Sequence, residues 1–403
     1  MSYQNRMRSV KAIGLFFCCL VTIILSSSAF AQFDVEKTTF DKWQTVEENE
    51  EFTAYLAKFP SAFHTKYPEN DVVQLQVQLP VDVENPPIVL ILHYWGAPNL
   101  KVERSLAYEL NQRGMGAAIM TLPYHLSRTP KGATSGTMAI QSDPEKLKAV
   151  MTQSVMDVRR SLDFIESRME CGKVLGIYGT SLGAIVSSLG YAVDDRIPNA
   201  AFLLGGIELG KIIWYSSLLT PIKDELKAKG YNERRLSEAL APIEPSYYLK
   251  PERPGKTFVI RAKFDTVVPP ECTDALLRAL PRSEVLAIDS GHYGGVFIQE
   301  KLLREVANFF EAIKQEKDYT PPLKIVTPTI RVGATFEAPS QFNIAAGFDL
   351  LKFDKKGKTY ASILLTPKNP VLWVGSDIVT GLNAGIGISN RRAGFGLFWS
   401  IVL

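Results

Sequence analysis

Hydrophobic and polar positions change their spacing several times along the 403-residue chain. Val72 to Leu79 reads Val-Val-Gln-Leu-Gln-Val-Gln-Leu, the alternation of a half-buried outer strand. Ile88 to Leu92 is continuously apolar, as in a central parallel strand covered on both faces. A helical pattern follows over Glu103 to Arg113, then a strand over Gly116 to Thr121, a long helix over Glu145 to Met169 and a strand over Val174 to Tyr178. Ala200 to Leu204, Thr257 to Arg261 and Glu284 to Ile288 supply three more strands, and Lys301 to Ile313 an amphipathic helix. This alternation predicts the α/β class, a mostly parallel sheet with helices on both faces, whose sites fall at the carboxyl ends of the strands.

The pattern changes after the charged, proline-containing stretch around residues 316–323, which reads as a linker. Residues 324–403 are glycine-punctuated and alternating over Thr329 to Phe336, Phe342 to Phe353, Thr359 to Thr366, Leu372 to Ser389 and Ala393 to Leu403, with turns such as Lys355-Lys356-Gly357-Lys358. They predict a small antiparallel all-β module, a meander of four to six strands. Its last strand places Phe395, Leu397, Trp399, Ile401 and Leu403 on one face, much as outer-membrane barrel strands end. About eighty residues supply at most half a dozen strands, however, and the smallest single-chain membrane barrels need eight. The expectation is a soluble β module, with membrane attachment, oligomerisation and contact with envelope material left open.

At the other end, Arg6, Arg8 and Lys11 precede the apolar stretch Ala12 to Leu25, then Ser26-Ser27-Ser28 and Ala29-Phe30-Ala31-Gln32. This is the layout of a secretory signal over residues 1–31 with cleavage after Ala31, and about 14 apolar residues are short for a span of about 20. The protein is expected to be exported to the periplasm, outer envelope or medium. The chain carries 45 Lys and Arg against 42 Asp and Glu, and the leader takes away three basic residues. The remainder is formally neutral, so nucleic acid is not an expected partner. No H-E-x-x-H, paired C-x-x-C, G-x-x-x-x-G-K-[ST] or strand-to-helix G-x-G-x-x-G occurs, and neither a metal nor a nucleotide cofactor is implied.

The candidate chemistry lies at Gly179-Thr180-Ser181-Leu182-Gly183, between the run Val174 to Tyr178 and the helix-compatible Ala184-Ile185-Val186. G-x-S-x-G between a strand and a helix is a nucleophile elbow, which presents a serine hydroxyl at the top of a sheet. The three-letter pattern alone arises by chance in roughly one chain in ten of this length. More weight therefore falls on the residues that follow. A serine needs an imidazole to take its proton and a carboxylate to orient that imidazole. Of His64, His93, His125 and His292, only His292 follows a late strand, in a loop with Gly291 and Gly294. Asp265, after the preceding strand, is the acid; its rival Asp289 more naturally ends a strand.

The order Ser181, Asp265, His292 is that of the alpha/beta-hydrolase fold and of neither chymotrypsin nor subtilisin. Residues from about 70 to 315 resemble an alpha/beta-hydrolase, nearer to the dienelactone-hydrolase and acetyl-esterase-like branch than to the lipases. The resemblance implies a domain over residues 32–315 and an oxyanion hole with one N–H from Leu182. The second N–H would come from His93-Tyr94-Trp95-Gly96, where Tyr94 replaces a glycine of the usual His-Gly-x-Gly. Either Tyr94 or Trp95 would donate, and His93 would brace the loop. The hydrolase layout sets Cys171 and Cys272 at opposite ends of the sheet, too far apart for a disulfide. His125 and Arg128, near the same rim, would bind a polar or anionic part of a substrate, or Arg128 would pair with a carboxylate and pack the loop. An insertion over about residues 207–250, with Trp214 and Tyr215, resembles a lid over an acyl pocket, or else an ordinary helix pair facing the core. Two functions remain: a secreted serine hydrolase acting on a small or polymer-derived ester, and a noncatalytic envelope-binding protein on a hydrolase scaffold.

Overall fold

Central strands flanked by helices build a nine-stranded mixed sheet in the computed structural model, which describes residues 31–403 apart from 324, 326–329, 338–340, 354–358, 380–381, 390–391 and 403. The leader as far as residue 30, the turn Lys355-Lys356-Gly357-Lys358 and Leu403 thus lie outside the described residues. The strands are β1 (Gln44–Glu48), β2 (Phe52–Pro60), β3 (Val72–Pro80), β4 (Ile88–Leu92), β5 (Gly116–Met120), β6 (Val174–Thr180), β7 (Ala200–Leu203), β8 (Thr257–Ala262) and β9 (Glu284–Ile288). They lie in the order β1-β2-β3-β5-β4-β6-β7-β8-β9. Neighbours from β5 to β9 are parallel, while β1, β2 and β3 pair antiparallel and join through β5.

Strand β4 shows why its sequence is uniformly apolar. Ile88, Leu90 and Leu92 enter one core with Val155, Leu162 and Leu189, whereas Val89 and Ile91 enter another with Leu110, Val306 and Phe309. The first core lies under α2 (Pro144–Glu166) and α3 (Leu182–Val193), and the second under α1 (Lys101–Asn111) and α8 (Gln299–Lys314). The hairpin β1–β2 was not expected from the sequence. Strand β1 is exposed throughout and carries only Val46 as an apolar residue, so no periodicity marks it.

The segment 207–250 folds as α4 (Leu209–Tyr215), α5 (Thr220–Ala228), α6 (Glu233–Leu240) and two short 3-10 turns; α7 (Pro270–Ala279) follows β8. Within the stretch expected as a linker, residues 316–323, Tyr319 packs onto the α/β domain and no residue is buried. Tyr319 stacks edge-on against Phe258 and Phe309, and Ile325 bridges Ile288 at the β9 edge.

The C-terminal module is a closed six-stranded antiparallel barrel: β10 (Ile330–Glu337), β11 (Gln341–Lys352), β12 (Thr359–Leu365), β13 (Pro370–Val379), β14 (Leu382–Ser389) and β15 (Arg392–Val402), which pairs back onto β10. The run read as one element from Leu372 to Ser389 is the hairpin β13–β14.

Candidate active site

Ser181 sits between the end of β6 and the start of α3 with φ 52° and ψ −113°, a conformation strained for any residue with a Cβ. The flanking glycines are demanded by close approach. A Cβ on Gly179 would lie 2.2 Å from the carbonyl of Gly183, and one on Gly183 would lie 2.3 Å from the Leu92 oxygen at the end of β4. The elbow is thus wedged between its own helix and a neighbouring strand. Ser181 N–H donates to Leu203 O of β7 at 2.8 Å, which ties the turn to the sheet on the other side.

The loop after β9 brings His292 over the serine. Its Nε2 is 3.0 Å from Ser181 Oγ, and its Nδ1 is 2.7 Å from Asp265 Oδ2. Asp265, beyond β8, is 6% exposed, and its other oxygen accepts the N–H groups of Val267 and Val268 at 2.8 and 2.9 Å. The carboxylate is therefore desolvated yet fully partnered, with one oxygen left to hold the imidazole. Asp289 is elsewhere engaged, with Lys263.

The turn after β4 is held by two buried histidines. A carbonyl can only accept, so His93 donates from Nδ1 to Tyr94 O at 2.8 Å, and its Nε2 accepts Leu122 N–H at 3.0 Å. In the same way His125 donates from Nδ1 to Pro123 O at 2.8 Å and accepts Gly96 N–H at 3.1 Å. Each arrangement uses the neutral ring. Burial lowers His93 from 6.5 to about 3 and His125 to about 4; Arg128 lowers both, and His125 lowers His93. The unfolded chain takes up these protons near pH 6.5 and the folded one only near 4 and 3, so stability is lost as pH falls between those values. Each ring contributes a slope of about 1.4 kcal/mol per pH unit in that window. Glu103, whose carboxyl burial raises to about 7, works in the opposite direction over the same window in both proteins, so the check is the difference: between pH 6.5 and 5 the urea midpoint of the parent should fall relative to that of His125→Gln. An equally steep fall in the variant would refute the neutral assignment of His125.

A cavity of about 410 Å³ opens beside Ser181. Leu182, Ile185, Leu204, Val268, Tyr293 and Val296 line it together with Tyr94, Trp95 and Ile212, and among the described residues no Asp, Glu, Lys or Arg lines it. Ser216 also lines it, and its buried hydroxyl has no hydrogen-bond partner among the described residues.

No protein-family model matches the sequence, and no curated protein matches it. Solved structures match the fold. An acetyl xylan esterase from Paenibacillus sp. R4 aligns with a TM-score of 0.54 at 20% identity, over 72% of this chain and 93% of that one. Acetyl xylan esterase 1 from Thermoanaerobacterium sp. JW/SL YS485 aligns with 0.51 at 13% identity, over 69% and 93%. This chain has the alpha/beta-hydrolase fold.

Within the hydrolase fold, two of the residues expected to bind substrate are placed otherwise. Arg128 is fully buried, with its guanidinium on Asp157 at 2.7 Å, on Thr121 O at 3.0 Å and on Asn70 O. His125 is equally buried and spends both ring nitrogens on the backbone. Neither reaches the cavity, because the loop that carries them turns inward beneath the rim. Trp214 and Tyr215 do not line it either: Lys227 lies over the Trp214 ring, and the Tyr215 hydroxyl donates to Glu233 at 2.8 Å. The insertion contributes Ile212, Ser216, Leu218 and Leu219 to the cavity instead, while Leu226, Leu236 and Leu240 face the core. Ser217 N–H donates to Thr266 O at 2.8 Å, joining the insertion to the loop that carries Asp265. Ser216 had no sequence signal, because its place depends on how the insertion folds back. Cys171 and Cys272 are both free.

Proposed function

We propose that the protein is an exported carboxylic-ester hydrolase that acts through an acyl-Ser181 intermediate. The observation that carries this reading is the hydrogen-bonded line from Ser181 Oγ through His292 to the buried Asp265 at the mouth of an apolar cavity. Attack of Oγ on the ester carbonyl transfers the serine proton to His292 Nε2, and Asp265 stabilises the imidazolium that forms. Collapse of the tetrahedral species passes that proton to the departing alcohol. Water then enters with His292 as base, and the acid leaves as Ser181 recovers its proton.

The oxyanion would rest on the N–H groups of Leu182 and Trp95. His93 fixes the Tyr94 carbonyl, and the Trp95 N–H occupies the opposite edge of the same planar peptide. Gly96 N–H is already spent on His125. These contacts favour Trp95 over Tyr94 as the donor. Export is supported by the leader pattern before Gln32.

A cavity without charged lining favours a neutral substrate, since it offers no partner for a desolvated carboxylate or ammonium. A panel of nitrophenyl esters should therefore show kcat/KM falling at least about tenfold when a carboxylate is placed on the acyl chain, for a loss of 1.4 kcal/mol or more. The direct test is a fluorophosphonate probe with intact-mass readout. One adduct on a chain beginning at Gln32, absent in Ser181→Ala, is expected; no adduct, or one that persists in the variant, would refute the enzyme reading.

A further inference from the structure

The C-terminal barrel is inside out. Along β13, Leu372, Val374 and Ile378 are exposed while Val371 and Trp373 are buried, and β10, β11, β14 and β15 follow the same alternation; on β12 the outward Ala361 is buried and only Leu365 stands out. Its interior is mixed: Tyr360, Leu364, Val371, Trp373 and Phe398 pack together, but beside them Arg331 and Asp349 form an ion pair in which each side chain is at most 4% exposed, Ser362 donates to Asp349, and Trp373 Nε1 donates to Asn383 at 2.7 Å. Outside stand Phe342, Ile344, Phe348, Phe395, Leu397 and Trp399, all more than 40% exposed. Among the described residues of the module, Arg331, Asp349 and Asp377 carry charge within the barrel wall on its inner side, and the other charged residues fall at or beyond strand ends. A barrel folded for water places these two sets the other way round.

We propose that this barrel seats in a lipid bilayer, with its outer face against the acyl chains. The exposed apolar set occurs on β10, β11, β13, β14 and β15 and at the end of β12, so it surrounds most of the barrel. A protein partner covers one side of a cylinder, whereas a fluid apolar solvent covers the whole circumference. Each of the six strands pairs with a neighbour on both sides over much of its length, which suits an unhydrated environment. Strands β11, β13 and β15 have 12, 10 and 11 residues, the length of a tilted crossing strand. The 7 to 8 residues of β10, β12 and β14 enter the hydrocarbon without spanning it, so a six-stranded ring, short of the eight strands of a spanning barrel, would be embedded in the bilayer as an anchor and not form a pore. The module would hold the hydrolase domain at a membrane surface. This inference rests on the barrel alone and stands or falls apart from the chemistry at Ser181.

The test uses the full mature chain and vesicles of phosphatidylethanolamine and phosphatidylglycerol, some brominated along the acyl chain. The protein is expected to float with the vesicles in 1 M salt, and bromine should quench tryptophan fluorescence in the parent but much less in Trp399→Phe. Ile344→Lys combined with Leu397→Lys should lower partitioning at least about tenfold, as lysine on a lipid face does. Hydrolysis of a soluble ester by that variant reports that the chain still folds. Protein that stays at the bottom of the gradient, or quenching undiminished in Trp399→Phe, overturns the proposal. So does a stable oligomer in vesicle-free buffer that the two lysines dissociate, which would make a second copy the cover of this face.

Discussion

Ser181→Ala is expected to lower kcat/KM on a short neutral ester by about 10⁴- to 10⁶-fold, the loss seen when a serine that acts as one unit with its base is removed. The residue also predicts an unusual stability pattern. At φ 52° and ψ −113° the backbone of Ser181 is strained, by about 1–3 kcal/mol for such a conformation. Alanine keeps the Cβ and so keeps the strain, while glycine relieves it at a cost of about 0.5–1 kcal/mol in unfolded-chain entropy. Ser181→Gly should therefore be inactive yet more stable than the parent by roughly 1 kcal/mol, with Ser181→Ala close to the parent. Urea unfolding of the three proteins decides this. If glycine destabilises as much as it would in a relaxed helix, the elbow is not strained in solution.

Arg128→Ala is expected to cost about 3–5 kcal/mol of stability, because it strands the Asp157 carboxylate in the core. That carboxyl is raised above its ordinary value by burial, and Arg128 and Ser61 pull against the shift. Asp157 is fully buried on α2 and also accepts Ser61 Oγ at 2.6 Å, so the arginine joins the β3 approach, the rim loop and the long helix. The two roles considered for Arg128 separate cleanly in this variant. A structural role lowers the unfolding midpoint and leaves KM of the surviving folded enzyme nearly unchanged. A substrate-binding role raises KM and leaves the midpoint alone, and that result would overturn the placement described here. Arg128→Met with Asp157→Leu should recover much of the loss, since a packed apolar pair replaces two buried charges.

The hydrolase sheet was largely legible in the sequence because local pattern and burial agree there. The apolar runs Ile88 to Leu92 and Phe258 to Ile260 read as strands covered on both faces, and the glycines around Ser181 mark a turn where a Cβ would collide with backbone. Ser181, Asp265 and His292 could be ordered along the chain because each follows a recognisable strand. Edge strand β1 escaped because it buries nothing. Arg128 could not be read from its neighbourhood, since its partner Asp157 lies 29 residues on and charged residues carry no label for the distant group they meet. The same holds for His125, whose hydrogen bonds go to backbone atoms that sequence does not distinguish.

The barrel marks the boundary most sharply. Alternation along β10 to β15 determines by itself that each strand has one apolar and one mixed face, and with the glycine turns it determines antiparallel strands. It does not say which face turns inward. That was decided when the sheet closed: a ring of only six strands encloses little space, and Gly347, Gly375 and Gly385 on the inner side meet neighbouring strands too closely for larger residues. Bulky Phe348, Phe395 and Trp399 are thereby turned outward. The sequence thus determined two faces and their chemistry, and curvature decided which of them meets the surroundings.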